Sequence, residues 1–408
     1  MNSKATSEAL FVAAGGGGDA LAAEMVASAL GIKPRAIATF AWERKLFDPV
    51  PGPRSAEDFE GLRSVGDHNW QVRNETRLIA GKSFLPDLAR ALSSPIFLLD
   101  PVRGADGLSR QLTELKRITR TRRVFIVDVG GDVLAEGDEQ GLASPLADAL
   151  ALAAVRGLDG SAVLTLGLGL DGELAGAEWR RVCRRGEKAG WAKHTRLPES
   201  VAKRYRRHLR WHPTEATGLA CLAALGYRGI AEVRGRGSRV KLDASSALIH
   251  TFDYDRVLER NRIAQEMSHT SSLRAAEATV RLFHLQSEID IERAVLERRA
   301  ARQRHDHRAF DYFALEKTLV DYSEAAAERG VKYLTIRRLA EVLGLRSAKM
   351  PQFQRFLQRR HRARLEVPVW DCQPTRNDLG RRGLLVARRS TLAPTEPSRT
   401  DISSARAR

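Results

Sequence analysis

Three short stretches of this chain combine carboxylates with glycine, and each follows an apolar run: Gly15-Gly16-Gly17-Gly18-Asp19, Asp128-Val129-Gly130-Gly131-Asp132 and Asp171-Gly172-Glu173. Glycine lets a backbone approach a phosphate closely, and a helix that follows offers free N–H groups and the positive end of its dipole. The run Gly15–Gly18 with Asp19 suits that use. It is not a Walker A loop, because no Lys-Ser/Thr follows, and it misses the usual GxGxxG spacing. The same residues also suit a tight strand-to-helix turn that needs positive φ and has Asp19 as N-cap. Asp128, Asp132 and Asp171 are hard oxygen donors of the kind Mg²⁺ takes, one or two carboxylates beside substrate phosphate oxygens. An acid among Asp128, Asp132 and Glu139 can instead serve as general base, its pKa raised by like-charged neighbours. Taken singly, each Asp is as well explained by a helix cap or an Asx turn. As a set they predict a phosphorylated small molecule or nucleotide, bound at Gly15, Gly16, Gly17, Gly18, Asp19 and Glu43 with Mg²⁺.

Other chemistries find little in the sequence. His68 and His194 show no metal-ligand spacing, and HExxH and CxxC are absent. Ser144-Pro145 lacks the GxSxG context of a nucleophile elbow. His212-Pro-Thr-Glu215 reads as a helix start. Cys183, within RRVCRR, would have a lowered pKa if exposed. The three cysteines, far apart and odd in number, argue against a disulfide framework.

Positioning these residues requires strands that end at one edge. Ala9–Ala14, Arg35–Trp42, Pro95–Asp100, Arg123–Asp128 and Ser161–Leu166 are strand-length apolar runs separated by helical segments. The helices are expected at Ala20–Leu30, stopped by Gly31, at Leu78–Leu92 with a break near Pro86, at Leu108–Ile118, and after Pro145 with Ser144 as N-cap. A polar loop is expected between the second and third strands. The pattern predicts an α/β fold, a Rossmann-like doubly wound parallel sheet whose ligand crevice lies beyond the carboxyl ends of the strands.

Charge divides the chain. Of 67 Lys+Arg and 50 Asp+Glu in 408 residues, the first 200 residues are net neutral, and all of the +17 falls after them. A basic half suggests a polyanionic partner. The expected organisation is an α/β domain over 1–180, a mixed, mainly helical basic extension over 181–330 with room for one or two strands within Arg228–Ile249, a helix-turn-helix-like segment over 331–390 and a disordered tail over 391–408. Within the third part, Ile336–Leu343 and a helix from Ser347 flank a turn at Gly344-Leu345. The second helix carries Gln352, Gln354, Arg355, Gln358 and Arg359, followed by Arg360 and Arg362, which are suited to base edges or phosphates. Pro351 lies deep for a recognition helix. The competing reading is a helical hairpin packed on the first domain with a solvated basic face. No apolar run reaches the roughly 18 residues of a spanning helix, and the N-terminus does not read as a signal peptide, so a cytoplasmic protein is expected. Besides an enzyme on a small phosphorylated ligand, a ligand-sensing nucleic-acid-binding regulator and an enzyme acting on RNA fit the sequence.

The stretches AAGGGGDALAA, FAWERKLFDPVPGP, IFLLDPVRGADGLSRQL, VFIVDVGGDVLAEGDEQGLASPLADALALAA and LGLGLDGEL resemble a bacterial and archaeal family known as domain of unknown function 1152, over about residues 9–300. The resemblance implies an α/β domain in which Gly15–Asp19, Glu43, Asp128, Asp132, Glu139, Asp148 and Asp171 sit in family motifs. It supplies no reaction, and the long C-terminal region departs from the typical shorter member.

Overall fold

The computed structural model describes residues 7–174, 176–210, 212, 214–235, 237–302, 311–345 and 347–373. The described residues up to Cys372 form one compact unit. The divisions expected after residues 180 and 330 therefore fall inside one unit, and the tail expected over 391–408 lies outside the described residues.

Five parallel strands occupy the centre of a nine-stranded sheet: β1 (Glu8–Ala13), β2 (Lys33–Thr39), β3 (Ile96–Leu98), β4 (Val124–Val129) and β5 (Ser161–Leu166). Their spatial order is β3-β2-β1-β4-β5. These strands read as continuous apolar runs because both faces are covered. Ala9, Phe11 and Ala13 pack with Leu21 and Met25 of helix α1 (Gly17–Leu30). Leu10 and Val12 point the other way, towards Leu108, Leu112 and Leu146.

The sheet is mixed rather than wholly parallel. Leu248–Asp253 and Ala192–Arg196 add antiparallel strands beyond β5, and Asn69–Val72 and Arg63–Val65 add a hairpin beyond β3. The outermost strand beyond β5 escapes a pattern-based reading. In Ala192–Arg196 all but Ala192 are exposed, so an edge strand shows no apolar alternation. The hairpin arises where the sequence suggests a polar loop, and the second expected helix is shorter, Leu85–Ala91, with Pro86 in its first turn.

Chain order reverses between β1 and β4: from β1 the chain moves to β2 on one side, and β4 flanks β1 on the other. That switch point leaves a crevice past the strand ends. A smaller five-stranded sheet, order Arg239–Leu242, Gly229–Glu232, Tyr333–Thr335, Val369–Asp371, Leu365–Glu366, carries a separate apolar cluster centred on Leu319, Leu339, Phe353 and Trp370. Among the described residues, no helix is long and apolar enough to cross a membrane.

Candidate functional site

The glycine loop opens the crevice. Gly16 is the N-cap of α1 with φ −77°, and neither it nor Gly15 nor Gly18 takes a positive φ, contrary to the expected turn. Space, not handedness, demands glycine here. A Cβ on Gly16 would run into the Trp42 carbonyl oxygen, and one on Gly18 would stand 2.5 Å from the Thr214 hydroxyl. Asp19 is not the cap. It lies in the first turn of α1, and its carboxylate accepts the Gly15 N–H at 2.9 Å.

Carboxylates from four other segments converge on this loop. Asp128 is the penultimate residue of β4, and Gly130 (φ 126°) and Gly131 (φ 111°) turn the chain so that Asp132 comes back beside it. Asp148 comes from the first turn of helix α2 (Pro145–Ala154), and Asp171 and Glu173 from the turn after β5. Asp128, Asp132 and Asp148 are buried, while Asp19, Asp171 and Glu173 are half-buried. They line a cavity of about 100 Å³ together with Gly15, Gly16 and Gly18. Burial and mutual repulsion raise Asp128, Asp132 and Asp148 well above the ordinary carboxylate range. Burial pushes Asp19 up to about 7, against the pull of the Gly15 N–H and of Arg44. Burial and Glu173 push Asp171 to about 7 as well. Asp132 Oδ1 and Asp148 Oδ1 are buried with no hydrogen-bond partner among the described residues.

Three arginines stand at the mouth, where the cavity continues into a cleft of about 620 Å³. Arg44 adopts φ 60°, a left-handed conformation that costs a non-glycine residue about 1–2 kcal/mol. Its guanidinium lies 3.6 Å from the centre of the Trp42 ring, with Glu292 at 4.0 Å. Arg234 pairs with Glu215 at 2.9 Å. Arg337 has an unpartnered Nε among the described residues, and burial together with Arg234 and Arg44 pushes its pKa down to about 10. Cations that repel one another therefore face carboxylates that repel one another. Glu288 joins the cleft, its carboxylate accepting the Leu146 N–H at 2.8 Å and its pKa raised to about 7 by burial.

The other expected residues divide between the cavity and the rest of the fold. Glu43 does line the cavity, buried, with Oε1 accepting from Phe84 N–H and the Ser83 hydroxyl. Glu139 does not: its carboxylate accepts the N–H groups of Glu136 and Gly137, holding its own loop. Glu136 and Asp138 pair with Arg260 and Arg262, Asp48 with Arg54, and Asp100 caps the turn at Pro101–Arg103. Ser144 is the N-cap of α2 by position only, since its hydroxyl turns to Glu173 at 2.5 Å. Cys183 is buried, and burial pushes its thiol up to about 12 instead of activating it. Arg355, Arg359, Arg360 and Arg362 are exposed and do not line the crevice.

Arg44, Arg234, Arg337 and Glu288 were not singled out by the sequence. Arg44 sits next to Glu43 in the motif FAWERKLF, which is the one available hint; the others lie in charged stretches distinguished only by folding. Cross-strand register also does what spacing did not suggest. His194 faces His250 across an antiparallel pair, and with Glu187 they place one ligand atom each within 4.8 Å of one another.

These features define an α/β protein with a glycine-bounded acidic crevice at the switch point of its sheet and an arginine rim. The chain belongs to the family described as protein of unknown function (DUF1152), which it matches over residues 10–296. No curated protein and no solved structure matches it.

Proposed function

We propose that the crevice binds a phosphorylated small molecule, a nucleotide being the fitting class, together with Mg²⁺, and carries out metal-assisted chemistry on it. The observation that carries this reading is the paired frustration of charge. Asp128, Asp132, Asp148 and Asp171 repel one another below the rim, and Arg44, Arg234 and Arg337 crowd one another above it. A divalent cation between carboxylates and phosphate oxygens relieves the first, and the phosphate relieves the second. The partnerless oxygens of Asp132 and Asp148 fit such an ion. Asp128, Asp132 and Asp171 would hold it, and when bound it supplies charge neutralisation and Lewis acidity at the phosphate.

The remaining roles belong to the chain. The three guanidiniums orient the phosphate through fixed donors. Asp19, titrating near 7, can take or give a proton at neutral pH. One N–H of the glycine loop is committed to Asp19, so the loop contributes close approach and the N-terminal end of α1, while the arginines carry most of the charge. The strand order 3-2-1-4-5 supports a Rossmann-like reading and, with it, a ligand at the switch point. Thermal-shift measurements at pH 8 with pyrophosphate, nucleotides and sugar phosphates, each with and without Mg²⁺, test the proposal. Mg²⁺ and a phosphorylated compound together should raise the melting temperature more than either alone. If no pair does so, the proposal fails.

A further inference from the structure

Beyond the family match, the chain builds a unit with a topology of its own. Helix α3 (Tyr312–Glu328), strand β6 (Tyr333–Thr335), helix α4 (Ile336–Val342), helix α5 (Met350–Arg360) and strands β7 (Leu365–Glu366) and β8 (Val369–Asp371) follow one another. β8 pairs antiparallel with both β6 and β7, so the order β6-β8-β7 places a short hairpin beside the strand that precedes the two helices. Helix, strand, two helices and a hairpin closing on that strand make a winged helix-turn-helix. Thr335 caps α4 by accepting the Arg338 N–H at 3.1 Å, and Gly344 at φ 62° makes the turn. Pro351 falls in the first turn of α5, where its missing N–H breaks no helical bond.

Position along α5 sorts its side chains. Met350, Phe353, Phe356 and Leu357 are buried, and Gln352, Arg355, Gln358, Arg359 and Arg360 are exposed. Gln352, Arg355 and Arg359, spaced i, i+3 and i+7, share the outer face. Arg355, Arg359, Arg360 and Arg362 make no ion pair with any described residue, so their charge is available. Beyond the end of α5, Arg362 lines a groove of about 430 Å³ with Lys203, Arg206, Arg207 and Arg210. Its one acid, Glu366, is engaged by Arg206.

We infer that this unit binds duplex DNA, with α5 in the major groove and the basic groove on the phosphate backbone. Arg and Gln are the side chains that read guanine and adenine edges bidentately. Eleven residues of helix span about 16 Å, enough to cross a major groove. The outer face of α5 has no aromatic ring on which an unpaired base could stack, and the major groove of an RNA duplex is too narrow to admit a helix.

Fluorescence anisotropy of the full chain on a labelled duplex, across salt concentrations from about 50 to 200 mM, tests this directly. The Arg359/Arg360/Arg362→Ala variant should flatten the log–log salt slope by up to about 2.7, at about 0.9 per lost phosphate contact. The same positions changed to Lys should keep the slope, which separates charge from structure. An Arg63/Arg110/Arg122→Ala variant, equal in charge loss and likewise at exposed positions, should leave the slope unchanged. On a sequence selected from a random pool, Gln352→Ala and Arg355→Ala should each cost about 10-fold in affinity, yet change little on an unrelated duplex. The inference is overturned if the parent fails to bind duplex at about 50 mM salt, if the control triple flattens the slope equally, or if single-stranded RNA binds more tightly than duplex DNA.

Discussion

Replacing Glu43 by Gln should stabilise this protein at pH 8 and not at pH 4.5. Glu43 is 2% exposed, and its carboxyl is pushed from 4.5 to about 7 by burial, with Asp48 adding repulsion, despite hydrogen bonds from Phe84 N–H at 2.7 Å and the Ser83 hydroxyl at 2.9 Å. Arg54, Lys82 and Arg337 are the cations that feel its charge, and the net effect is still upward. The folded chain thus keeps this proton to about pH 7, whereas the unfolded chain releases it near 4.5. The group's contribution is complete below about 4.5 and is lost as pH rises through 7. At about 1.36 kcal/mol per pH unit, that gap amounts to up to about 3 kcal/mol at pH 8. Glutamine keeps the shape and the acceptor oxygen without the charge. The variant's melting temperature should exceed the parent's by about 5 °C at pH 8 and match or fall below it at pH 4.5. Thermal unfolding by circular dichroism at both pH values reads this. A parent–variant difference that is the same at both pH values would mean that Glu43 acts only as a hydrogen-bond acceptor, with no raised pKa.

Asp128→Asn and Asp132→Asn should each fold, melt higher than the parent at pH 8 in the absence of metal, and lose Mg²⁺-dependent binding of phosphorylated compounds, as calorimetry would show; unchanged affinity in both would remove the metal site. Arg337→Met should weaken pyrophosphate binding about 10-fold or more while leaving the fold intact, since its guanidinium has an unpartnered nitrogen facing no described acceptor. Gly18→Ala should cost about 1–3 kcal/mol of stability by overpacking against Thr214, and adding Thr214→Ala should recover part of that loss; additive losses in urea unfolding would argue against the close approach.

The central strands could be read because each is covered on both faces, so that a stretch such as Ala9–Ala14 is apolar throughout. Glycine and aspartate beyond them were legible because strand ends in a parallel sheet share one edge. The structure does bring Asp19, Asp128, Asp132 and Asp171 round one cavity. Glu139 looked equivalent in sequence, but its short loop turns its carboxylate onto the N–H groups of Glu136 and Gly137. The arginine rim was illegible because it depends on long-range folding. Arg234 and Arg337 lie far from the glycine loop in sequence, and Arg44 points inward through a left-handed backbone that no residue type announces. The edge strand Ala192–Arg196 was hidden by solvent exposure, and the short strands of the winged unit, two or three residues each, are too brief to show a period.

On the proposed function, a cation entering the crevice displaces protons from carboxylates whose pKa burial and repulsion raise. Isothermal titration of Mg²⁺ into the protein with pyrophosphate at about pH 6.5, repeated in buffers of different ionisation enthalpy, measures proton release on binding. Binding should be saturable and release roughly one or more protons, with the release diminished in Asp132→Asn. Mg²⁺ binding with no proton release, or no binding at all, would contradict the proposed function.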